Sequence, residues 1–130
     1  MILRTTNFSD FTLSGSQNEI IDVRSENEFA EDHIPGAINL PVLNNQERKK
    51  VGTIYKQVSP FEAKKIGASL IFNNISQQIN QHFINKDPCY SPLIYCWRGG
   101  QRSQSLGFIL DQIGWAVTVL KGGYKSYRYE

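Results

Sequence analysis

The stretch Pro92-Leu93-Ile94-Tyr95-Cys96-Trp97-Arg98-Gly99-Gly100-Gln101-Arg102-Ser103 constrains this chain more than any other. A short apolar run leads into a cysteine, two glycines and two arginines, after which a helical pattern begins. A buried strand of this kind carries Cys96 to its C-terminal tip. Gly99 and Gly100 let the following backbone curl, so that N–H groups from Trp97 to Arg102 point inward as an anion-binding nest. A helix opening near Ser103 turns its positive end toward the same spot. Arg98 and Arg102 add fixed positive charge. Such surroundings favour a thiolate over a thiol and make Cys96 the candidate nucleophile. A cysteine within an apolar strand is ordinarily a small core hydrophobe, but a place at the strand's end, followed by glycine and arginine, favours chemistry.

The 130 residues have room for one domain, 1–130, with a single substantial core. A hydrophobic share of 40% with 20% charged residues belongs to an ordinary soluble globular chain. No apolar run approaches the roughly 20 residues of a membrane span. No basic block followed by an apolar one marks a secretory signal. Cys89 lies in a polar, Pro-flanked segment, so two unpaired thiols and a reducing, cytoplasmic compartment are expected. Neither Cys-x-x-Cys nor a Cys/His cluster occurs, and no metal site is expected.

Along the chain, Ile20 to Arg24 reads as a short buried strand, and Ser25-x-x-Glu28 has the spacing of a capping box that opens a helix. Asp22 and Arg24, two apart, share a strand face and are expected to form a structural ion pair. Pro35-Gly36 suits a type II turn. His33, just before it, is expected to be a hydrogen-bonded structural residue rather than a general base. From Glu47 to Lys65 the cations Arg48, Lys49, Lys50, Lys56, Lys64 and Lys65 face only Glu47 and Glu62, an excess of four charges in a chain of net charge +2. That local excess could draw a polyanion such as RNA, or form the solvated face of a loop and helix. Ser59-Pro60-Phe61-Glu62 opens another helix, whose apolar stripe runs through Ile66, Leu70, Ile71, Ile75, Ile79 and Phe83. Leu106 to Ile113 marks a helix stopped by Gly114, and Trp115 to Leu120 alternates as a strand. Alternating strands and helices imply an α/β fold with a largely parallel central sheet flanked by helices, and a loop outside a strand's carboxyl end suits a site there.

The pattern Cys-x-x-Gly-x-x-Arg-Ser resembles the active loop of the rhodanese superfamily, whose cysteine carries sulfur as a persulfide. Asp22-Val23-Arg24 followed by His33-Ile34-Pro35-Gly36-Ala37-Ile38-Asn39 is a second such match. The commonest sulfurtransferase loop has four residues between Cys and Arg, whereas five separate Cys96 from Arg102, as in the rhodanese-fold dual-specificity phosphatases. Longer motifs narrow the resemblance. Asn45-Gln46-Glu47-Arg48, Val51-Gly52-Thr53-Ile54-Tyr55-Lys56-Gln57, Ser59 to Ala68, Tyr95 to Ser103 and Gly122-Gly123-Tyr124-Lys125 are similar to the tRNA 2-selenouridine synthase family. There the five-residue spacing is the expected one.

The resemblance implies a single rhodanese-like domain and a bacterial or archaeal cytoplasmic enzyme. It would replace the sulfur of a wobble 2-thiouridine in tRNA by selenium, through an S-geranylated intermediate. No bound cofactor is implied; selenophosphate and geranyl diphosphate are substrates, and tRNA is the partner. The family's nucleotide-binding P-loop domain has no counterpart motif here, so that domain or a separate equivalent subunit is an expected partner. Cys96 would be nucleophile and chalcogen carrier. The N–H groups of the loop Trp97, Arg98, Gly99, Gly100, Gln101, Arg102 and Ser103, with the Arg102 guanidinium, would stabilise the anion. Arg98 would meet selenophosphate or a tRNA phosphate, and Trp97 would stack on a base or prenyl chain or seal the core. Other readings are a stand-alone thiosulfate-type sulfurtransferase, a Cys-x5-Arg phosphatase and a catalytically silent RNA-binding module.

Overall fold

In the computed structural model, which describes residues 4–6 and 18–128, five strands form one wholly parallel sheet. The strands are β1 (Arg4–Thr6), β2 (Asn18–Asp22), β3 (Ile38–Asn39), β4 (Ser91–Tyr95) and β5 (Thr118–Leu120), in spatial order β1-β5-β4-β2-β3. Central β4 pairs with β2 from Asn18↔Ser91 to Asp22↔Tyr95, and with β5 at Leu93↔Thr118 and Ile94↔Val119. The helices are α1 (Glu26–Glu31), α2 (Asn45–Gln57), α3 (Pro60–Gln78), α4 (Gln101–Ile113) and α5 (Gly123–Tyr127). Among the described residues, no helix is long and apolar enough to cross a membrane.

Side chains of a strand alternate between faces, and a sheet covered on both faces needs apolar residues at nearly every position. β4 supplies them. Ile94 and Cys96 join Ile21, Ile71, Ile75, Leu106 and Leu110 in the larger core, under α3 and α4. Leu93 and Tyr95 join Ile20, Ile34, Leu120 and Tyr124 in the smaller one, beside α1 and α5. Cys96 therefore belongs to the α3/α4 face.

Several local expectations hold. The Ser25/Glu28 capping box is present at α1, the Ser59 hydroxyl accepts the Glu62 N–H at 3.0 Å at the start of α3, and the Ala37 N–H reaches the Ile34 carbonyl at 3.0 Å across the Pro35-Gly36 turn. Two expectations shift. The last strand begins at Thr118 rather than Trp115, because the Trp115 indole N–H is held by the Asp87 carbonyl at 2.8 Å and the Val117 N–H bonds the Trp115 carbonyl. The Ile66–Phe83 stripe does not stay in one α-helical register: after Gln78 the chain takes a single π-turn over Ile79–Phe83. That turn leaves Phe83 fully buried beneath Tyr90 and Trp115.

Candidate active site

Cys96 follows the last residue of β4 and is 3% exposed. Its sulfur accepts the Gly100 N–H at 3.2 Å and lies 3.1 Å from the Ser103 hydroxyl oxygen. Ser103, fully buried in the first turn of α4, has a second acceptor in the Gly100 carbonyl at 3.2 Å. One hydroxyl proton cannot serve both. With a thiol present, S–H donates to Oγ while Oγ–H donates to Gly100; with a thiolate, Oγ–H turns to the sulfur, which then receives two hydrogen bonds. The geometry can thus give an anion two hydrogen bonds, and among the described residues that line the cleft above the sulfur there is no carboxylate or histidine.

The loop is held from beneath by the paired glycines near the chain's end. The Tyr124 and Lys125 N–H groups, in the first turn of α5, donate to the Cys96 and Trp97 carbonyls at 2.8 and 2.9 Å. Gly123 has φ +62°, and a Cβ there would lie 2.5 Å from the Cys96 carbonyl oxygen and 2.7 Å from the Gly99 nitrogen. Only glycine permits this contact. Gly99, at φ +71°, makes the matching turn on the loop side.

Above the sulfur lies a cleft of about 370 Å³ with walls that are mainly apolar. Leu43, Val51, Tyr55, Gly67 and Ile71 form one side, and Trp97, Arg98, Gly100, Gln101 and Arg102 the other. The helices α2 and α3 build that apolar side; α3 approaches α2 closely where Gly67 meets Val51. Of the six cations singled out in the sequence, only Lys64 lines this cleft. Arg48, Lys49 and Lys56 line a separate groove along α2, whereas Lys50 lines neither and Lys65 is paired with Glu62 at 2.7 Å. The structure therefore divides what the sequence grouped as one basic insertion.

Arg102 differs from its expected part. Its guanidinium does not lie over the sulfur but forks onto Glu28, at 2.8 and 3.4 Å. The same carboxylate accepts the Ser25 N–H and hydroxyl and meets the Arg48 Nε at 3.3 Å. Burial pushes the Glu28 carboxyl up, but the hydrogen bond and charge of Arg102, with the Ser25 bonds, outweigh it and hold it at about 2. Asp22 and Arg24 form the expected buried ion pair, 2.8 Å at the closest atoms. Arg24 also donates to the Asp32 carbonyl and lies 4.4 Å from the Tyr124 ring centroid, so the pair belongs to the α1/α5 face, opposite the thiol. His33 stacks on Phe29 and its Nδ1 sits 2.7 Å from the Phe29 carbonyl oxygen. Trp97 is half-buried against Tyr124 with Arg128 over its ring, and lines both the apolar cleft and a second cavity walled by arginines and the carboxylates of Glu28, Glu31 and Asp32. Arg98 and Gln101 are exposed at the cleft's rim. The sequence reading missed Glu28 as a partner of the loop, although its capping-box spacing was visible. It also missed helix α2, whose signal is Asn44-x-x-Glu47, a capping box with both bonds formed.

A parallel sheet covered on both faces, with a cysteine loop at the carboxyl end of its central strand, is the arrangement of a rhodanese-like domain. The rhodanese-like domain family matches residues 12–130, and the chain belongs to it. Within that family its relatives are specific. The chain is 40% identical over 112 residues to the tRNA 2-selenouridine synthase of Nitrosomonas europaea, covering 84% of this chain and 29% of that protein. It is 39% identical over 124 residues to the enzyme of the same name from Sulfurovum sp. NBC37-1, covering 92% of this chain and 34% of that one. The chain thus spans about a third of the length of these relatives. Among solved structures, the N-terminal domain of a protein named for ATP/GTP binding, from Clostridium difficile 630, superposes with a TM-score of 0.74 at 39% identity over 90% of this chain and 91% of that one. A rhodanese-related protein from Thermoplasma volcanium, 17% identical with a TM-score of 0.59 over 97% of this chain and 91% of that one, shares the fold.

Proposed function

We propose that this chain is the cysteine-bearing rhodanese part of a tRNA 2-selenouridine synthase, a transferase that replaces sulfur by selenium at C2 of a wobble 2-thiouridine. Selenophosphate is the selenium donor, the reaction passes through an S-geranylated uridine, and Cys96 is the required nucleophile. The observation that carries this reading is the pairing of a thiol held by Ser103 and Gly100 with an apolar cleft directly above it. A phosphomonoester asks for charge and hydrogen-bond donors on all sides, and a single transferred sulfur atom has no need of a wide apolar cleft. A geranyl chain or a nucleobase asks for hydrocarbon and aromatic walls, which Leu43, Val51, Tyr55 and Trp97 supply. Engagement of Arg102 by Glu28 also speaks against a phosphatase, whose loop arginine must be turned to the phosphate. The relatives' greater length supports a second part that works with this one; in this reading that part binds the nucleotide, and the enzyme works in a reducing cytoplasm, with which the unpaired Cys89 and Cys96 agree.

Two measurements test it. Thiosulfate should load Cys96 as a persulfide with release of sulfite, read by intact mass, and Cys96→Ser should abolish the adduct. Selenophosphate with thiolated or geranylated tRNA should yield 2-selenouridine, by nucleoside analysis, only when a P-loop partner is supplied and only with Cys96 present. Equal selenouridine from Cys96→Ser would refute the role given to the cysteine. Turnover of thiosulfate with no tRNA product under any condition would favour the stand-alone sulfurtransferase.

A further inference from the structure

Helix α2 has no buried residue, yet one of its faces is strongly patterned. Asn45, Arg48, Lys49, Gly52, Thr53 and Lys56 recur at i, i+3, i+4, i+7, i+8 and i+11, a single helical stripe. All of them line one groove of about 760 Å³. The start of α1 closes one wall, where the Asn27 N–H donates to the Asn45 side-chain oxygen at 3.0 Å, and Arg102 completes the lining. Four cations line the groove, Arg48, Lys49, Lys56 and Arg102; Glu28, outside the lining, holds Arg102 and meets Arg48, and leaves the two lysines to the groove. Its walls at Leu43, Val51, Tyr55 and Arg102 are shared with the cleft above Cys96, so the groove runs into the active site.

Gly52 sits in the middle of this stripe, and the fold gives no reason for it. Its φ is not positive, and a Cβ built on it would meet nothing within 4 Å. Glycine in a helix interior is less stable than alanine there. What it provides is bare backbone on the floor of a cationic groove, which serves close approach by a ligand. A ligand that spreads negative charge along Lys49, Lys56 and the exposed Arg48, which also meets Glu28, and leads toward a base-modifying thiol is a polynucleotide backbone.

We propose that this α2 groove seats the RNA strand, with phosphates on Arg48, Lys49 and Lys56, its backbone pressed against Gly52, and the target base passing Tyr55 toward Cys96. This rests on the reading of RNA as the acceptor. Lys50 and Lys65, in the same basic window but outside the groove, take no part.

The test is binding of a fluorescently labelled unmodified tRNA to the full chain, followed by anisotropy over a salt series. Lys49→Ala with Lys56→Ala should weaken binding about tenfold or more and lower the slope of log affinity against log salt by about 2. Lys50→Ala with Lys65→Ala removes the same charge and should change affinity less than about twofold. Gly52→Ala should raise the urea unfolding midpoint and yet weaken RNA binding several-fold. Equal losses from the two lysine pairs, or undiminished binding by Gly52→Ala, would overturn the groove. Persulfide loading of the unaltered chain, measured separately, keeps the two readings apart. Loading without any RNA binding refutes the groove alone, and groove-dependent RNA binding without loading refutes the carrier role alone.

Discussion

The Ser103 hydroxyl proton can point to the Gly100 carbonyl or to the Cys96 sulfur, and the proposed role of Cys96 as nucleophile turns on that choice. Replacing Ser103 by Ala removes one of the two hydrogen bonds available to the thiolate, a charge-assisted bond worth about 1.5–3 kcal/mol. Persulfide formation from thiosulfate should slow by about 10- to 100-fold while the fold persists, because the serine side chain is small. A Ser103→Ala rate equal to wild type would show that the Gly100 N–H suffices. Gly123 acts at the same place through shape. Alanine there combines φ +62° with a Cβ 2.5 Å from the Cys96 carbonyl oxygen, so the loop or α5 must move. Gly123→Ala should cost at least about 1–3 kcal/mol in urea unfolding and abolish loading of Cys96. Gly36→Ala has open space around its Cβ and should leave loading intact, which separates loop displacement from a general cost of positive φ.

Glu28 joins elements that are distant in sequence. It caps α1 through Ser25, holds the first turn of α4 through Arg102 and touches α2 through Arg48. Its carboxyl titrates at about 2 in the fold against an ordinary 4.5, so the unfolded chain binds this proton more tightly than the folded one. The stabilisation is therefore complete above about pH 4.5 and is lost as the pH falls toward 2. Its size is on the order of 3 kcal/mol. Urea unfolding of wild type and Glu28→Gln should differ most above pH 4.5 and converge in acid. A difference that stays constant through that window would mean that Glu28 contributes by shape and not by charge. The same substitution frees Arg102 and Arg48 from their carboxylate, and the position of α2 against the loop should loosen with it.

The whole molecule is organised by one sheet that is buried on both sides. Leu93 and Ile94, neighbours on β4, are each fully buried but in different cores. Leu93→Ala and Ile94→Ala should each cost about 2–5 kcal/mol, the range for truncating a packed aliphatic side chain. Urea unfolding followed by fluorescence and by circular dichroism should show a single coincident transition in both variants. A loss well under 1 kcal/mol on the Leu93 side would mean that the α1/α5 face is dispensable packing. Separate transitions would mean that the two cores fold independently. The thiol lies on the α3/α4 face and the Asp22–Arg24 pair on the other side of the sheet.

Local sequence determined much of this protein. The apolar run into Cys96, the glycine and arginine after it, the capping box at Ser25 and the turn at Pro35-Gly36 each act through backbone geometry within a few residues, so their effects can be read from adjacent letters. The apolar run likewise carries Cys96 into a buried place at the end of a strand, whereas Cys89, in a polar segment, is exposed on a loop. Tertiary structure alone decided what depends on distant partners. Arg102 reads as an anion ligand from its spacing, yet its guanidinium goes to Glu28, 74 residues away. Gly123 reads as a turn glycine, yet its reason is the cysteine loop that presses on it. The basic window reads as one charge cluster, yet helical rotation sends Lys49 and Lys56 into a groove, Lys64 into the cleft, and Lys50 and Lys65 to neither. Charge and spacing are properties of the chain, but which charges share a cavity is set by the packing of α2 and α3 against the sheet. That packing depends on long-range contacts which no local pattern encodes.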